Sequence, residues 1–549
     1  MRLGLLWVVV AWVAGSPIQT SADDGLVAHW KLDRDAKDSS SAALHAKNHG
    51  VVFEAPLSRD DPPRGARFDG RTQYLEVDDA SSLDFGTAEF SVAMWVHTER
   101  SLDDLPGNLL SKYDPKTRRG FQLSIDSRPG VTSSQSNAGQ LHFGIDNAKS
   151  EAKWTDHGRL GNAVLVYAMA VHEGQLFAGT CVAGEEAGRV YRFDGEGWTD
   201  CGAPDRCNAV SSLAVYRGQL YAGVSKYRLS GSSLAESQNA HLGGKIYRYV
   251  ADGRWEFCGL LPEVEAINGM VVFRDQLYAS SMYAPAGFFR YEGGTQWISC
   301  GTPDGKRVEA LGVYNGHLYA SGYDEGAVYR YDGQSWASMG QIGEATQTYG
   351  FAVHRGELYV SEWPHAKVYR FAGPKDWVFA GRAGQEKETM PLAVYNGKMY
   401  VGTLPSGEVY RFDEGSTWTQ VGRLDLTPDV RYRRVWSMAV FQGRLFAGTL
   451  PSGRVHSIEV GKNVTHDTAL RPGWRHIVAV KGAQRLRLFV DGKLVASSSS
   501  FDPADFDLTN DEPLKIGFGA HDYFNGRLRD LRIYNRALTP QEIADLAGK

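Results

Sequence analysis

Apolar and polar residues alternate along most of the chain in short runs, the period-two signature of half-buried β-strands. A helical period surfaces only around Thr539–Leu546. From Met169 to residue 458 the runs recur in a fixed order. A short apolar strand such as "LAVY" (213–216) leads to a tight turn. The turn opens a second strand, as in "RGQLYAGV", "NGHLYASG" and "NGKMYVGT". A third follows as "GRVYRFDG", "GAVYRYDG" or "GEVYRFDEG", and a fourth carries a tryptophan, as in "GWTDCG", "RWEFCG" and "QWISCG". Asn315-Gly316 and Asn396-Gly397 are two-residue hairpin signals, because both residue types tolerate positive φ.

The turn markers Gly174, Gly218, Asp275, Gly316, Gly356, Gly397 and Gly443 are mostly about 41 residues apart. Four antiparallel strands per such unit describe a β-propeller blade. An open solenoid would need polar capping units, which the terminal copies do not resemble. The inner three strands occur seven times, and so does the Trp strand, but the first Trp copy, "AKWTDHG" (152–158), precedes any complete repeat while the last repeat lacks one. The reading is a seven-bladed ring closed by pairing 152–158 with "GRVHSI" (453–458), which hides two strand edges. In general type it is similar to kelch and sialidase propellers. "FDEGSTW" (412–418) resembles the sialidase Asp-box in its Asp413, Gly415 and Trp418 spacing, with Arg411 where a hydroxyl is expected. In that family the element stabilises a turn.

The flanks differ in texture. "RFDG…YLEV" (67–77), "FSVAMWV" (90–96), "GWRHIVAV" (473–480), "LRLFVDGKLVAS" (486–497) and "FNGRLRDLRIYNRALTPQEI" (524–543) resemble the LamG-like, concanavalin A-like jelly-roll family. Neither flank holds enough strands for a closed sandwich; together they do. The expected fold is all-β, a split LamG-like β-sandwich hosting an inserted seven-bladed β-propeller. Its expected divisions are a signal peptide at 1–22, the first part of the jelly roll at 25–147, the propeller at 148–465 and the second part at 466–549. An inserted domain must return the chain to its point of entry, and a ring whose last blade combines both ends does so. The resemblance implies extracellular carbohydrate-binding or adhesive function, and glycan cleavage in some sandwiches of this shape.

The start of the chain, with Arg2, an apolar run from Leu3 to Ala14 and small residues before Asp23, reads as an export signal cut near Ala22. The expected location is secreted or periplasmic, with no membrane span after signal removal. The formal net charge of -5 leaves no basic field for nucleic acid. Export permits disulfides, and of Cys181, Cys201, Cys207, Cys258 and Cys300 one pair among the first three is expected to bridge. Cys201, Cys258 and Cys300 share one repeat position with His157, Met339, Ala380 and Val421, which reads as buried filler.

Where the scaffold repeats, the loops at one end of the ring vary. Tyr167, Ser211, Asn268, Glu309, Tyr349, Met390 and Trp436 are equivalent positions near the channel mouth, and Arg307, Gln347, Glu388 and Arg434 stand two residues earlier in their units. Tyr227, Tyr283, Tyr323, Asp324, Trp363 and His365 lie in the adjoining loops. Aromatics beside Arg, Glu and Asn suit a sugar, with ring faces over C–H patches and polar groups for hydroxyls. The expected ligand-binding set is Tyr167, Asn268, Arg307, Glu309, Tyr349, Trp363, Arg434 and Trp436, and the partner an extracellular glycan or cell-surface protein. Were the protein an enzyme, hydrolase or lyase, Glu309, Glu388, Tyr349 and His365 would carry the chemistry. "RYRRVW" (431–436) reads as a loop facing an acidic sugar or a partner. No resident cofactor is expected; the cysteines lack the paired CxxC spacing of a zinc site, and the metal that remains is calcium held by Asp146-Asn147 and His521-Asp522.

Overall fold

The structure, a computed structural model, describes residues 24–54, 64–127, 134–148 and 153–548; the expected export signal lies outside them. Both sheets of the jelly roll draw strands from both flanks. In the first, Phe90–Thr98 lies between Asn525–Tyr534 and Gly473–Lys481, pairing along its whole length with the latter. In the second, Ala138–Asn147 pairs with Arg119–Ser127 on one side and with Lys462–His466 on the other. Phe121, Leu123, Ile125, Leu141, Phe143 and Ile145 face the sandwich core, where they meet Trp30, Phe68, Phe90 and Leu528. The expected helix is Pro540–Ala547; Thr539 and Glu542 form its capping box, and Ile543 and Leu546 seat it on Val480 and Phe489.

The inserted propeller is built as the repeats require, with one correction. Five four-stranded sheets stand as separate blades, but Ala163–His172 through Arg254–Leu260 form a single eight-stranded sheet, so the ring does not consist of seven separate blades. The fusion occurs where Cys181 pairs with Ala209 and the Val182 N–H donates to Asn208 O at 3.0 Å. Small residues allow this approach: a Cβ on Gly188 would lie 2.6 Å from Ala209 Cα. The ring closes through Thr155–Arg159 and Arg454–Ile458, with Thr155 opposite Ser457 and Asp156 opposite His456. Arg454 and Asp156 form an ion pair across that seam at 2.7 Å. Neighbouring outer strands are tied by indoles: Trp154, Trp255, Trp297, Trp377 and Trp418 donate to the carbonyls of Val421, Cys201, Cys258, Met339 and Ala380.

The expected disulfide is also corrected, because all five cysteines are free thiols. Each faces a carbonyl of its own neighbourhood, Cys181 that of Val182 and Cys207 that of Ala209. Burial pushes Cys201 and Cys207 up to about 12, leaving almost no thiolate to start disulfide exchange. These residues fill the interblade core.

The hairpin turns of the propeller stand on the second sheet of the jelly roll. Val171 N–H donates to Ser136 O at 2.9 Å, Val272 N–H to Gln135 Oε1 at 3.1 Å, and Gly356 N–H to His521 O at 3.0 Å. Asn396 Nδ2 donates to Ile145 O at 3.2 Å, and Asn137 exchanges two hydrogen bonds with the backbone of Val440 at 2.8 and 2.9 Å. Glycine is required for this approach. Gly397 has φ +86°, and a Cβ on it would lie 2.4 Å from the Tyr113 ring. The polar side of the sheet, including Gln122, Ser124, Asp126, Gln140 and His142, is consequently buried rather than solvated.

Candidate functional site

At the opposite end of the ring, the starts of the innermost strands and the loops after the second strands enclose a cavity of about 430 Å³. This falls within the roughly 300–1,000 Å³ typical of small-ligand sites. Arg307 and Glu309 open Val308–Tyr314 or just precede it, while Gln347 and Tyr349 come from Gln347–His354. Glu388 and Met390 come from Glu388–Tyr395, and Arg434 and Trp436 from Arg434–Phe441. Alternate residues of an innermost strand share a face, so both members of each pair reach the lumen. Tyr227, Tyr283, Tyr323, Trp363 and Tyr432 add aromatic wall.

Depth orders these residues. Glu309, Tyr349, Glu388, Met390 and Trp436 are buried, whereas Tyr283, Tyr323, Trp363 and Tyr432 are half-buried at the rim. Of the expected binding set, Arg307, Glu309, Tyr349, Trp363, Arg434 and Trp436 line the cavity. Tyr167 lies below it, 4.9 Å from the Trp436 ring and 5.2 Å from that of Tyr227. Asn268 is fully buried and acts on the cavity through its amide beside Glu309. His365 stands outside the lining, with Nδ1 3.7 Å from Glu362 and Nε2 4.0 Å from Glu344.

The arginines in the cavity wall each carry a carboxylate partner. Arg434 meets Glu388 at 3.1 and 3.2 Å through two nitrogens, Arg307 meets Asp324 at 3.1 Å, and Arg228 is paired with Glu265. Arg307 also lies 4.3 Å over the Tyr323 ring and Arg228 4.4 Å over that of Tyr283. Of the stretch 431–436, residues 431–433 precede the strand and only Arg434, Val435 and Trp436 belong to it: Arg434 is paired, and Arg433 donates to Thr427 O at 2.6 Å. Burial raises the Glu388 carboxyl against the Arg434 guanidinium that favours its charged form. Among the described residues Glu309 has no cationic partner at contact distance. Burial pushes it up to about 8, offset in part by the Asn268 amide and reinforced by the Glu388 charge, and its Oε2 has no hydrogen-bond partner. The Tyr349 hydroxyl donates to Gln347 Oε1.

One wall was hidden from the repeat pattern. The segment Leu229–Ser232 and its flanks bring Arg228, Ser230 and Gly231 to the cavity. It is anchored where Ser232 Oγ accepts from Arg434 Nη1 at 2.9 Å and meets the Tyr227 hydroxyl at 2.7 Å. Glu236 accepts from the Leu229 and Ser230 N–H groups, and Lys226 Nζ donates to Ser237 O at 3.1 Å. The signal in the sequence is spacing: the interval from Gly218 to Asp275 is the longest between turn markers.

A second cluster lies at the junction of propeller and jelly roll. Asp126, His142 and His521 bring three possible ligand atoms within 4.8 Å of one another, an arrangement that can chelate a metal ion. Nothing in it points to calcium, which takes oxygen ligands, whereas imidazole suits transition metals. His142 Nδ1 is 3.0 Å from Asp126 and Nε2 2.9 Å from Asn463 Oδ1, so both ring nitrogens already have protein partners. The loops considered for calcium are occupied too: Asp146 stands 3.3 Å from Arg118, and Asp522 Oδ1 accepts from Tyr523 N–H at 2.8 Å.

Residues 437–544 match the model of the concanavalin A-like lectin/glucanases superfamily. That match reaches the C-terminal flank, which is LamG-like; the N-terminal flank supplies the remaining strands of the same two sheets, and a propeller is inserted between them. Among solved structures, a catalytically inactive virginiamycin B lyase from Staphylococcus aureus is 12% identical, over 56% of this chain and 100% of that one, with a TM-score of 0.44. YCF48 from Cyanidioschyzon merolae is also 12% identical, over 56% and 98%, with a TM-score of 0.40. No curated protein matches the chain. A lectin/glucanase-type fold is consistent with an extracellular glycan or protein partner. Among the described residues no helix is long and apolar enough to cross a membrane.

Proposed function

We propose that the protein is an exported, non-catalytic recognition protein that binds carbohydrate in the channel-mouth cavity. The observation that carries this reading is the chemistry of one wall: aromatic rings from several repeats surround a few polar groups, and the arginines among them are already neutralised by carboxylates. Rings offer faces to sugar C–H groups, and a neutral ligand needs no free cation. A recessed cavity also fits a small ligand better than a flat protein surface. Binding is favoured over hydrolysis because both Glu388 oxygens are held by Arg434, leaving Glu309 without a second free carboxylate in the lining.

A glycan array probed with the mature protein, then repeated with Trp363→Ala, tests the reading. Trp363 is half-buried at the rim, so its truncation is expected to leave the melting temperature nearly unchanged while weakening glycan retention at least about tenfold. An array that retains no glycan, or a variant that retains it as well as the parent, would refute the site.

A further inference from the structure

We propose that the cavity takes the terminal residue of a neutral glycan end-on, with Glu309 at its floor donating a hydrogen bond to an oxygen of that residue. This rests on the carbohydrate reading of the same site.

The shape of the site argues for a chain end. A groove that reads internal residues is shallow and runs past its site, whereas this cavity is closed at its floor. The far end of the ring is seated on the jelly roll, through turns spread around the circumference from Val171 to Val440. Below the cavity, Tyr167 and Asn268 are fully buried. To one side rises the insertion around Leu229–Ser232, fixed to Arg434 through Ser232. Depth increases from half-buried rings at the rim to buried Tyr349, Met390 and Trp436 inside. A ligand therefore enters along the ring axis, with its leading residue deepest and any remaining chain pointing out past Trp363 and Tyr432.

The chemistry at the floor argues for a neutral ligand and for its contact. An acidic sugar would need an unpaired guanidinium, whereas Arg228, Arg307 and Arg434 are each matched by a carboxylate. Glu309 Oε2 is buried, lines the cavity and has no hydrogen-bond partner, and unlike Glu388 Oε1, which faces Arg434 Nε at 3.1 Å, it has no cation beside it among the described residues. A buried polar atom left unmatched is destabilising, and a ligand oxygen placed against it would recover that loss. Raised to about 8, Glu309 carries its proton at neutral pH and is a donor there.

The test uses the full-length mature protein and a panel of neutral hexasaccharides of gluco, manno, galacto and xylo configuration. For each one retained, the methyl glycoside of its terminal residue and a long polymer of the same linkage are titrated by calorimetry. End-on binding predicts that the methyl glycoside competes with an affinity within about tenfold of the hexasaccharide, and that the polymer binds about one protein per chain end. Several proteins per polymer chain, or a methyl glycoside that does not compete, would overturn end-on entry while leaving the carbohydrate reading intact. Retention of no hexasaccharide removes both. Glu309→Gln keeps a donor of similar reach and is expected to bind within a few-fold of the parent, whereas Glu309→Ala is expected to lose at least about tenfold. Near-UV circular dichroism verifies that both variants are folded. Equal binding by the two variants would eliminate Glu309 as the contact.

Discussion

The two ends of the propeller are made by the same repeats and differ in what the repeats leave free. At the hairpin end, "NG" and "RG" turns recur, and the contacts there are largely made by backbone atoms and glycine-permitted approaches to the jelly roll. At the mouth end, equivalent positions hold Tyr167, Ser211, Asn268, Glu309, Tyr349, Met390 and Trp436, and side chains do everything. Repetition serves the end that must fit a fixed platform, and variation accumulates at the end that faces outward. The jelly roll gives up its own polar sheet face in the arrangement: Gln122, Asp126 and His142 lie under the propeller, so that face is unavailable to a soluble ligand. The open cavity of the ring thereby becomes the stronger candidate for recognition.

The dependence of the mouth on its buried pair is most severely tested by Arg434→Met. It leaves Glu388 buried without its partner and releases Ser232, so a loss of about 3–5 kcal/mol is expected in denaturant unfolding. A loss below about 1 kcal/mol would mean that the mouth does not depend on this pair. Next in size is Gly397→Val at the other end, where positive φ and the Tyr113 ring both oppose a side chain. The expected cost is about 2–4 kcal/mol with glycan retention unchanged, which would separate the platform from the binding end. A simultaneous loss of binding at full folding would couple the two.

The smallest effect concerns pH. Glu309 in the mouth and Asp467 beside the junction are both raised by burial, to about 8 and about 7. The folded state keeps these protons while the unfolded chain has lost them, so their contribution to stability is complete below about pH 4. It falls as pH rises towards the folded values, by about 1.4 kcal/mol per unit for each group that titrates this way. Melting temperatures between pH 5 and 8 are expected to decline, and Glu309→Gln to decline less steeply. Parallel curves would show that Glu309 titrates normally.

The alternating runs made the strands, the split host and the front-to-back closure legible, because each depends on local pattern and on counting strand types. The fusion of two units into one sheet was not legible, since it turns on a missing side chain at Gly188 opposite Ala209, contacts that periodicity does not encode. Nor was the fate of the cysteines: export makes bridges permissible, but here the thiols occupy packing positions. Residue variation marked Glu309, Arg434 and Trp436 as mouth residues, yet it could not show that Arg434 is committed to Glu388 or that Tyr167 lies beneath the cavity. Arg228 and Ser232 were missed because they sit in an insertion outside the repeat frame. The same alternation that made 119–127 and 138–147 strands implied a wet outer face, and only the docking of the propeller reveals it as dry.

The pairing of Ala138–Asn147 with Lys462–His466 also sets the timing of assembly. On the ribosome the first half of the sandwich emerges with one strand edge waiting for a partner about three hundred residues downstream. At roughly 5–20 residues per second that interval lasts tens of seconds. The last strand of the ring, Arg454–Ile458, emerges only just ahead of Lys462–His466, so guest and host gain their closing strands almost together. A nascent chain stalled ahead of Arg454 would present both an open ring and an unfilled β-edge to any chaperone at the exit.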